Sequence, residues 1–397
     1  MTLDLPSGAG AGPTAVPFGA TRTLSKELGT NNRELALKIF SGTTLEQFYT
    51  NSVFYDRMGE FIAQRQLDGG HVAQFPVIGD DIDLFNALED NADTTDPAFT
   101  DSDDIAAEGG LTAGYHNPGD FITGKKIKMS EKNVRVDDVL VAAIDVPFAD
   151  LDLTHFDVLT PFSQKLGRSL ATDLDRKIAA IALKAANTAA IAGVMPGGQV
   201  VERAVSGGSG IGSFYADAST GGSVLFRNDV ATLARQFDED NVPQEGRFLF
   251  IPPYIRSILR HETDIFNRDF NDGSVAGTLN TRTIGVLEGF QLILTNNLPG
   301  DWTGTTNGRY ELIDTEFAKY DFECGLTATG QKRPAAIALC GAGMGQPAIG
   351  MVQASGMRTV IEDDERRNVK FMKAQMHVGF DVLAPFCSGV INMHRTA

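Results

Sequence analysis

The sequence predicts an α+β protein, and three observations carry that prediction. Leu159, Phe162, Leu166, Leu170, Leu174, Ile178, Ile181 and Ala185 recur at steps of three and four, one apolar stripe along a helix over residues 155–186. Strand-type runs lie on both sides of it, rich in β-branched residues at 134–144 and alternating at 357–361 and 369–378. Between residues 223 and 350, short helical and strand patterns alternate as in a small α/β body.

Taken in order, residues 1–30 are rich in Gly, Ala, Pro, Ser and Thr and predict a flexible arm that orders against a partner. Residues 33–58 space Leu35, Ile39, Leu45, Phe48 and Phe54 for one or two short helices, with Gly42 as the interruption. Residues 73–79 (AQFPVIG) read as a short strand whose proline places it at an edge. From Asp80 to Asp120 there are twelve carboxylates and no Lys or Arg, followed at once by Lys125, Lys126, Lys128, Lys132 and Arg135. Strand signals on either side make this the tip of a long β-hairpin. A hairpin alone is marginal in water, so it is expected to lie across something else.

The long helix comes next, with Thr160-Pro161 resembling a cap and first-turn proline. Residues 192–222, rich in Gly and Ser, predict a mobile loop. Residues 225–237 predict a helix, 247–251 (RFLFI) a buried strand, Pro252-Pro253 the opening of a helix through Leu259, and 290–295 (FQLILT) another strand. The tail predicts strands over 357–361 and 369–378 joined by a charged turn, EDDERRN (362–368), and a last strand over 390–393.

Composition narrows the function classes. Hydrophobic residues at 42% and charged residues at 21% fit a globular chain with a sizeable core. No run approaches the roughly 18 apolar residues of a membrane span, and no secretory signal pattern opens the chain, so the expected compartment is the cytosol. Cys324, Cys340 and Cys387 have neither zinc nor disulfide spacing. A net charge of −17 argues against a sequence-reading nucleic-acid binder, yet suits a container whose walls repel phosphate.

Several constellations invite a chemical reading, each beside a plainer one. Gly341, Gly343 and Gly345 follow an apolar run like a pyrophosphate-binding turn, but Gln346 and Pro347 stand where the pattern needs a glycine and a running helix; a tight strand-end turn is the alternative. Asp80, Asp81, Asp83, Asp101, Asp103 and Asp104 could gather a cation, but they lack a calcium-loop spacing, and a solvated acidic loop fits as well. The six histidines form no metalloprotease pair, and no serine or cysteine nucleophile elbow occurs, so neither an enzyme nor a cofactor or metal is expected. Lys125, Lys126 and Lys128 admit three readings: a phosphate site, a strand edge blunted by lysine, or a contact with carboxylates of a neighbouring subunit. Glu362, Asp363, Asp364, Glu365, Arg366 and Arg367 form either a polar turn or an alternating-sign tip that pairs with its own copies about a symmetry axis.

The ordered set "ELALKIFSG" (34–42), "AQFPVIG", "SEKNVRVDDVLVAAIDV" (130–146), "SQKLGRSLATDLDRKIAAIA" (163–182), "GFQLILTNNLP" (289–299) and the end from "EDDERRNVKF" onward resembles the major capsid protein of tailed double-stranded DNA bacteriophages, in the short-tailed podovirus (autographivirus-like) branch. That resemblance implies the Hong Kong 97 type capsid fold. It divides the chain into an N-terminal arm with short helices (1–70), an extended loop (71–145), a peripheral domain with the spine helix (146–222), an axial domain (223–350), and peripheral long strands with the C-terminus (351–397). It implies self-assembly into hexamers and pentamers of an icosahedral head. It also implies a scaffolding protein and portal during assembly in the bacterial cytoplasm, a decoration or cement protein as a further partner, and packaged double-stranded DNA held without sequence specificity. On this reading the intersubunit contact candidates are Lys125, Lys126, Lys128, Asp80, Asp81, Asp83 and the turn 362–367. An encapsulin-like protein compartment and a dinucleotide-binding enzyme are the alternatives.

Overall fold

The computed structural model describes residues 32–55, 58–67, 69–78, 129–137, 139–153, 159–190, 195–205, 222–259, 285–298, 320, 332–341 and 347–395. The chain forms two compact units, each drawn from three separated stretches: Met1–Ser52, Val139–Thr172 and Ser355–His377 in the first, Val53–Asp138, Asp173–Ala354 and Val378–Ala397 in the second.

In the first unit, helix α1 (Asn32–Asn51) is continuous through Gly42, where two short helices were one of the expectations. A mid-helix glycine is unfavourable by only about 1 kcal/mol. Burial of Phe40, Thr44 and Phe48 at four-residue spacing outweighs it, and Thr44 satisfies its hydroxyl on the Phe40 carbonyl at 2.8 Å. Strand β4 (Leu140–Pro147) runs antiparallel to β11 (Val369–Val382), in register from Leu140 opposite Met376 to Pro147 opposite Val369, and leads into the short helix α3 (Phe148–Leu153). Their shared inner face meets the start of the long helix α4 (Leu159–Ala186) in a core of Phe40, Val146, Leu166 and Met372, with Ile144, Phe162 and Ile361 packed around it. Pro161 lies in the first turn of α4, where its missing N–H leaves no bond unmade. At Gly167 the helix passes so close to α1 that a Cβ would overlap the Thr44 carbonyl oxygen.

The second unit holds a six-stranded mixed sheet in the order β5, β12, β9, β6, β8, β7. Its strands are β5 (Gln199–Val205), β6 (Arg247–Ile251), β7 (Val286–Leu287), β8 (Phe290–Leu294), β9 (Lys332–Cys340) and β12 (Ser388–Arg395). The run RFLFI is buried at every position, as a central strand covered on both faces must be. Helix α5 (Gly222–Glu239) lies on β5 and β12, and α6 (Pro253–Leu259) opens at its proline. Phe54 stacks on Phe250 with ring centroids 4.1 Å apart, and Phe61, at the end of the short helix α2 (Met58–Phe61), meets the same ring edge-on at 5.7 Å. The last turns of α4 belong here: Ile178 to Leu183 are all buried, so this stretch is apolar all round, with alanines permitting close approach.

Two sequence expectations change, and one strand lies where the sequence predicted no element. Strand β1 (Ile62–Gln66), which pairs in parallel with the start of β10 (Ile349–Asp364), had no recognisable alternation. Strand β5 lies inside the stretch expected to be a mobile loop, and is held as an edge by parallel pairing with β12. The β-run after the basic cluster is two strands with different partners: β3 (Met129–Arg135) pairs with β2 (Val72–Ile78), whereas β4 pairs with β11. Pro76 is tolerated in β2 because the β2–β3 sheet has only two strands, so each keeps an open edge.

Candidate subunit interface

The hairpin stem is the first part of the site. Strands β2 and β3 pair antiparallel over seven positions, from Val72 opposite Arg135 to Ile78 opposite Met129. Alternation sends Ala73, Phe75 and Val134 inward onto Val352 and Leu383. The Arg65 guanidinium lies 5.0 Å from the Phe75 ring centre and donates to the Gln74 carbonyl at 2.7 Å. Lys132 pairs with Asp381 at 3.5 Å, the Val136 N–H donates to the His71 carbonyl at 2.8 Å, and Gly379 leaves room for the Arg135 carbonyl, where a Cβ would clash. The stem is therefore fixed to the second unit by packing, charge and backbone bonds together, and residues 79–128 depart from and return to one paired end. Lys125, Lys126, Lys128, Asp80, Asp81 and Asp83 lie outside the described residues.

The charged turn between β10 and β11 is the second part, in the first unit. The Asp364 carboxylate accepts the Arg366 and Arg367 backbone N–H groups at 3.0 and 3.4 Å, and Asn368 takes the left-handed conformation at φ 56°, which asparagine tolerates. The Asn368 carbonyl accepts the Phe148 N–H at 3.1 Å, tying the turn to the end of β4. Arg367 reaches Asp145 at 3.7 Å and Asp364 at 4.0 Å, while Lys370 reaches Asp363 at 3.8 Å. With Arg367 72% exposed, such pairs orient more than they stabilise, each contributing about 0–1 kcal/mol. Glu362, Glu365 and Arg366 are exposed and make no ion pair among the described residues. The turn thus consumes Asp363, Asp364 and Arg367 internally and presents charges of both signs outward.

Other polar groups that look chemical are structural. Arg247, 1% exposed, donates to the Pro243 carbonyl at 2.9 Å, to Asp238 at 2.6 Å and to the Val242 carbonyl, and stands over the Phe237 and Phe290 rings. Tyr320 donates its hydroxyl to Asp137, and burial pushes its phenol well above the usual range. Asp175, on α4, accepts the Val53 and Phe54 N–H groups at 2.8 and 3.2 Å and the Asn297 amide at 3.0 Å; burial pushes it up to about 6. Sequence reasoning passed over Asp175, although it sits four residues after Ala171 and three before Ile178, beside the edge of the apolar stripe. Gly341, the first glycine of the nucleotide-like motif, packs under the Glu60 carbonyl, so its small size answers a backbone approach from α2; Gly343, Gly345 and Gln346 lie outside the described residues. Among the described residues no three His, Cys, Asp or Glu side chains gather as a metal site, and no helix is long and apolar enough to cross a membrane.

A family model described as Gp10A-like major capsid protein matches residues 106–392. The major capsid protein of Escherichia phage T7 is 27% identical over 175 residues, which is 41% of this chain and 40% of that protein; the T7 minor capsid protein matches at the same identity over 35% of its length. The chain's matches thus span well under half of these curated relatives. Among solved structures, the capsid of Cyanophage P-SCSP1u superposes with a TM-score of 0.61 at 21% identity, covering 87% of this chain and 89% of that one. The mature capsid of bacteriophage PhiM1 gives 0.57 at 15% identity, covering 86% and 87%. Likeness at such identities is a likeness of fold, and the fold is the Hong Kong 97 type that the order of sequence segments implied.

Proposed function

The chain belongs to the Gp10A-like major capsid protein family, and from that premise we propose that it is the building block of an icosahedral phage head, assembling as hexamers and pentamers around double-stranded DNA. The observation that carries this reading is the family match, which runs from residue 106 to 392 and so takes in elements of both compact units. The anchored stem supports it. A segment as long as 79–128, acidic and then basic, separates its two signs of charge along the chain and is suited to lying on a neighbour.

In this reading residues 1–70 are an arm, 71–145 the intersubunit loop, 146–222 and 351–397 the peripheral domain, and 223–350 the axial domain. Lys125, Lys126 and Lys128 meet carboxylates of the next subunit, Asp80, Asp81 and Asp83 meet its cations, and the turn 362–367 meets its own copies. Partners during assembly in the host cytoplasm are a scaffolding protein and a portal, with a decoration protein able to join the finished virion.

The test is electron microscopy of the chain expressed with its scaffolding protein. Uniform icosahedral shells are expected, and persistent small oligomers overturn the reading. Particles filled with an enzyme in place of DNA would make the chain a protein compartment. Replacing Lys125, Lys126 and Lys128 together by Glu is expected to lower shell yield while leaving the melting of the free subunit unchanged. Normal shells with unchanged salt tolerance from that variant would remove the electrostatic role of the loop.

A further inference from the structure

Helix α4 is buried on all sides from Ile178 to Leu183, yet one face of its first five turns is open to solvent. The exposed side chains on that face are Pro161, Gln164, Lys165, Arg168, Ser169 and Arg176. All belong to one unbroken helix, so helical geometry alone sets their spacing: Lys165 to Arg168 is about 4.5 Å along the axis and Arg168 to Arg176 about 12 Å. Successive angles keep Lys165, Arg168 and Arg176 within one stripe. None of the three makes an ion pair among the described residues. The one carboxylate on the flank, Asp173, is engaged by Lys177 at 3.4 Å, and the nearby Thr172 hydroxyl is committed to the Arg168 carbonyl at 2.9 Å. Three cations in a row without an ion pair among the described residues are notable on a chain of net charge −17.

We propose that this stripe is a contact surface for the phosphate backbone of duplex DNA. The proposal rests on the capsid reading above and names the residues through which an otherwise acidic subunit would touch the packaged genome. The composition of the face favours this partner over a protein. Every polar side chain on it can donate a hydrogen bond, its three charged side chains are all cationic and it carries no carboxylate, a set that binds phosphate without reading sequence. It carries no aromatic or large apolar anchor of the kind that dominates protein interfaces. Duplex DNA presents a charge every ~1.7 Å of its axis, so a rigid row of cations finds phosphates in any register. The surrounding negative charge keeps the contact weak, which suits a genome that must be packed and released.

The experiment measures binding of a labelled short duplex to the purified full chain by fluorescence anisotropy across a salt series. Three phosphate contacts give a slope of about −2.7 in log K against log salt, which is about a 40-fold loss of affinity between about 50 and 200 mM. Lys165→Gln, Arg168→Gln and Arg176→Gln combined should abolish that salt dependence with an unchanged circular-dichroism melt, whereas Arg168→Lys with Arg176→Lys should retain it. An unchanged slope in the triple Gln variant overturns the proposal. So does tighter, stripe-dependent binding of a polyglutamate peptide of matched charge, which would assign the face to an acidic protein. Shell formation by the wild type is scored separately: shells with an unchanged slope in the triple variant sink the stripe alone, and absence of wild-type shells sinks the capsid reading alone.

Discussion

Asp175 shows how much a single side chain can set against the fold that holds it. Its carboxylate is fully buried and accepts backbone N–H bonds from Val53 and Phe54 and the amide of Asn297, all of which favour the charged form. Burial disfavours that form more strongly, and the group is raised from 3.8 to about 6. A group whose folded value lies above its unfolded value contributes stability that is fully present below the unfolded value and is lost as pH rises through the folded one. The window here is therefore pH 3.8 to about 6, and the shift corresponds to about 3 kcal/mol lost by pH 7. Asp175→Asn removes the titration. Between about pH 4 and 7 the wild-type subunit should lose about 2 kcal/mol of unfolding free energy relative to the variant, read from urea denaturation at each pH. The amide also faces its donors poorly, so the variant is expected to be weaker at every pH, and the difference in slope is the diagnostic quantity. Parallel pH profiles would show that the hydrogen bonds offset burial completely.

Between elements, the crossing of α1 and α4 sets two effects of opposite sign against each other. Replacing an exposed mid-helix glycine by alanine ordinarily stabilises by about 1 kcal/mol. At Gly167 the added Cβ would overlap the Thr44 carbonyl oxygen and crowd the Phe48 amide nitrogen at 3.2 Å, both backbone atoms of the neighbouring helix. Overpacking of this kind costs about 1–3 kcal/mol, so Gly167→Ala should be net destabilising in urea titration, and a stabilised variant would mean that α1 shifts freely. This crossing could not be read from the sequence, because a glycine in an amphipathic repeat looks like a flaw in the helix, not a contact. The long helix itself was legible from its three-and-four spacing, although its first described residue is Leu159 where the pattern suggested 155. The turn was legible from a charge cluster between two alternating runs. Strands β1 and β5 were not, since IAQRQ and QVVERAV take their order from the strands beside them. For the candidate site, charge identified which residues sit at the turn, while only coordinates separate Arg367, held by Asp145 and Asp364, from Arg366, which points its charge to solvent.

At the scale of the molecule, a subunit of net charge −17 repels its copies, so association has to rely on local pattern as well as on buried area. Salt acts on both contributions: it largely removes repulsion between charges farther apart than a Debye length, about 10 Å at 0.1 M, and weakens the closer exposed pairs less. Changing any single charge confounds the two, because it alters the net charge and the pattern together. Exchanging Glu365 and Arg366, as Glu365→Arg with Arg366→Glu, leaves the net charge at −17 and reverses the sign of two exposed charges at the turn. Both side chains are free of ion pairs among the described residues, so subunit stability should move by less than about 0.5 kcal/mol. Asp364 keeps its bonds to the backbone N–H groups of residues 366 and 367, so the turn should keep its shape. If the turn pairs with its own copies in the shell, Glu365 of one against Arg366 of the next, the exchanged subunit alone still sets opposite charges against each other and should form shells by itself. Mixed with wild type it should form fewer or more salt-sensitive shells, because glutamate then meets glutamate and arginine meets arginine across the contact. Wild-type yield and salt tolerance from the mixture would show that the turn 362–367 is only a solvated loop, and that shape and the extended loop hold the subunits together.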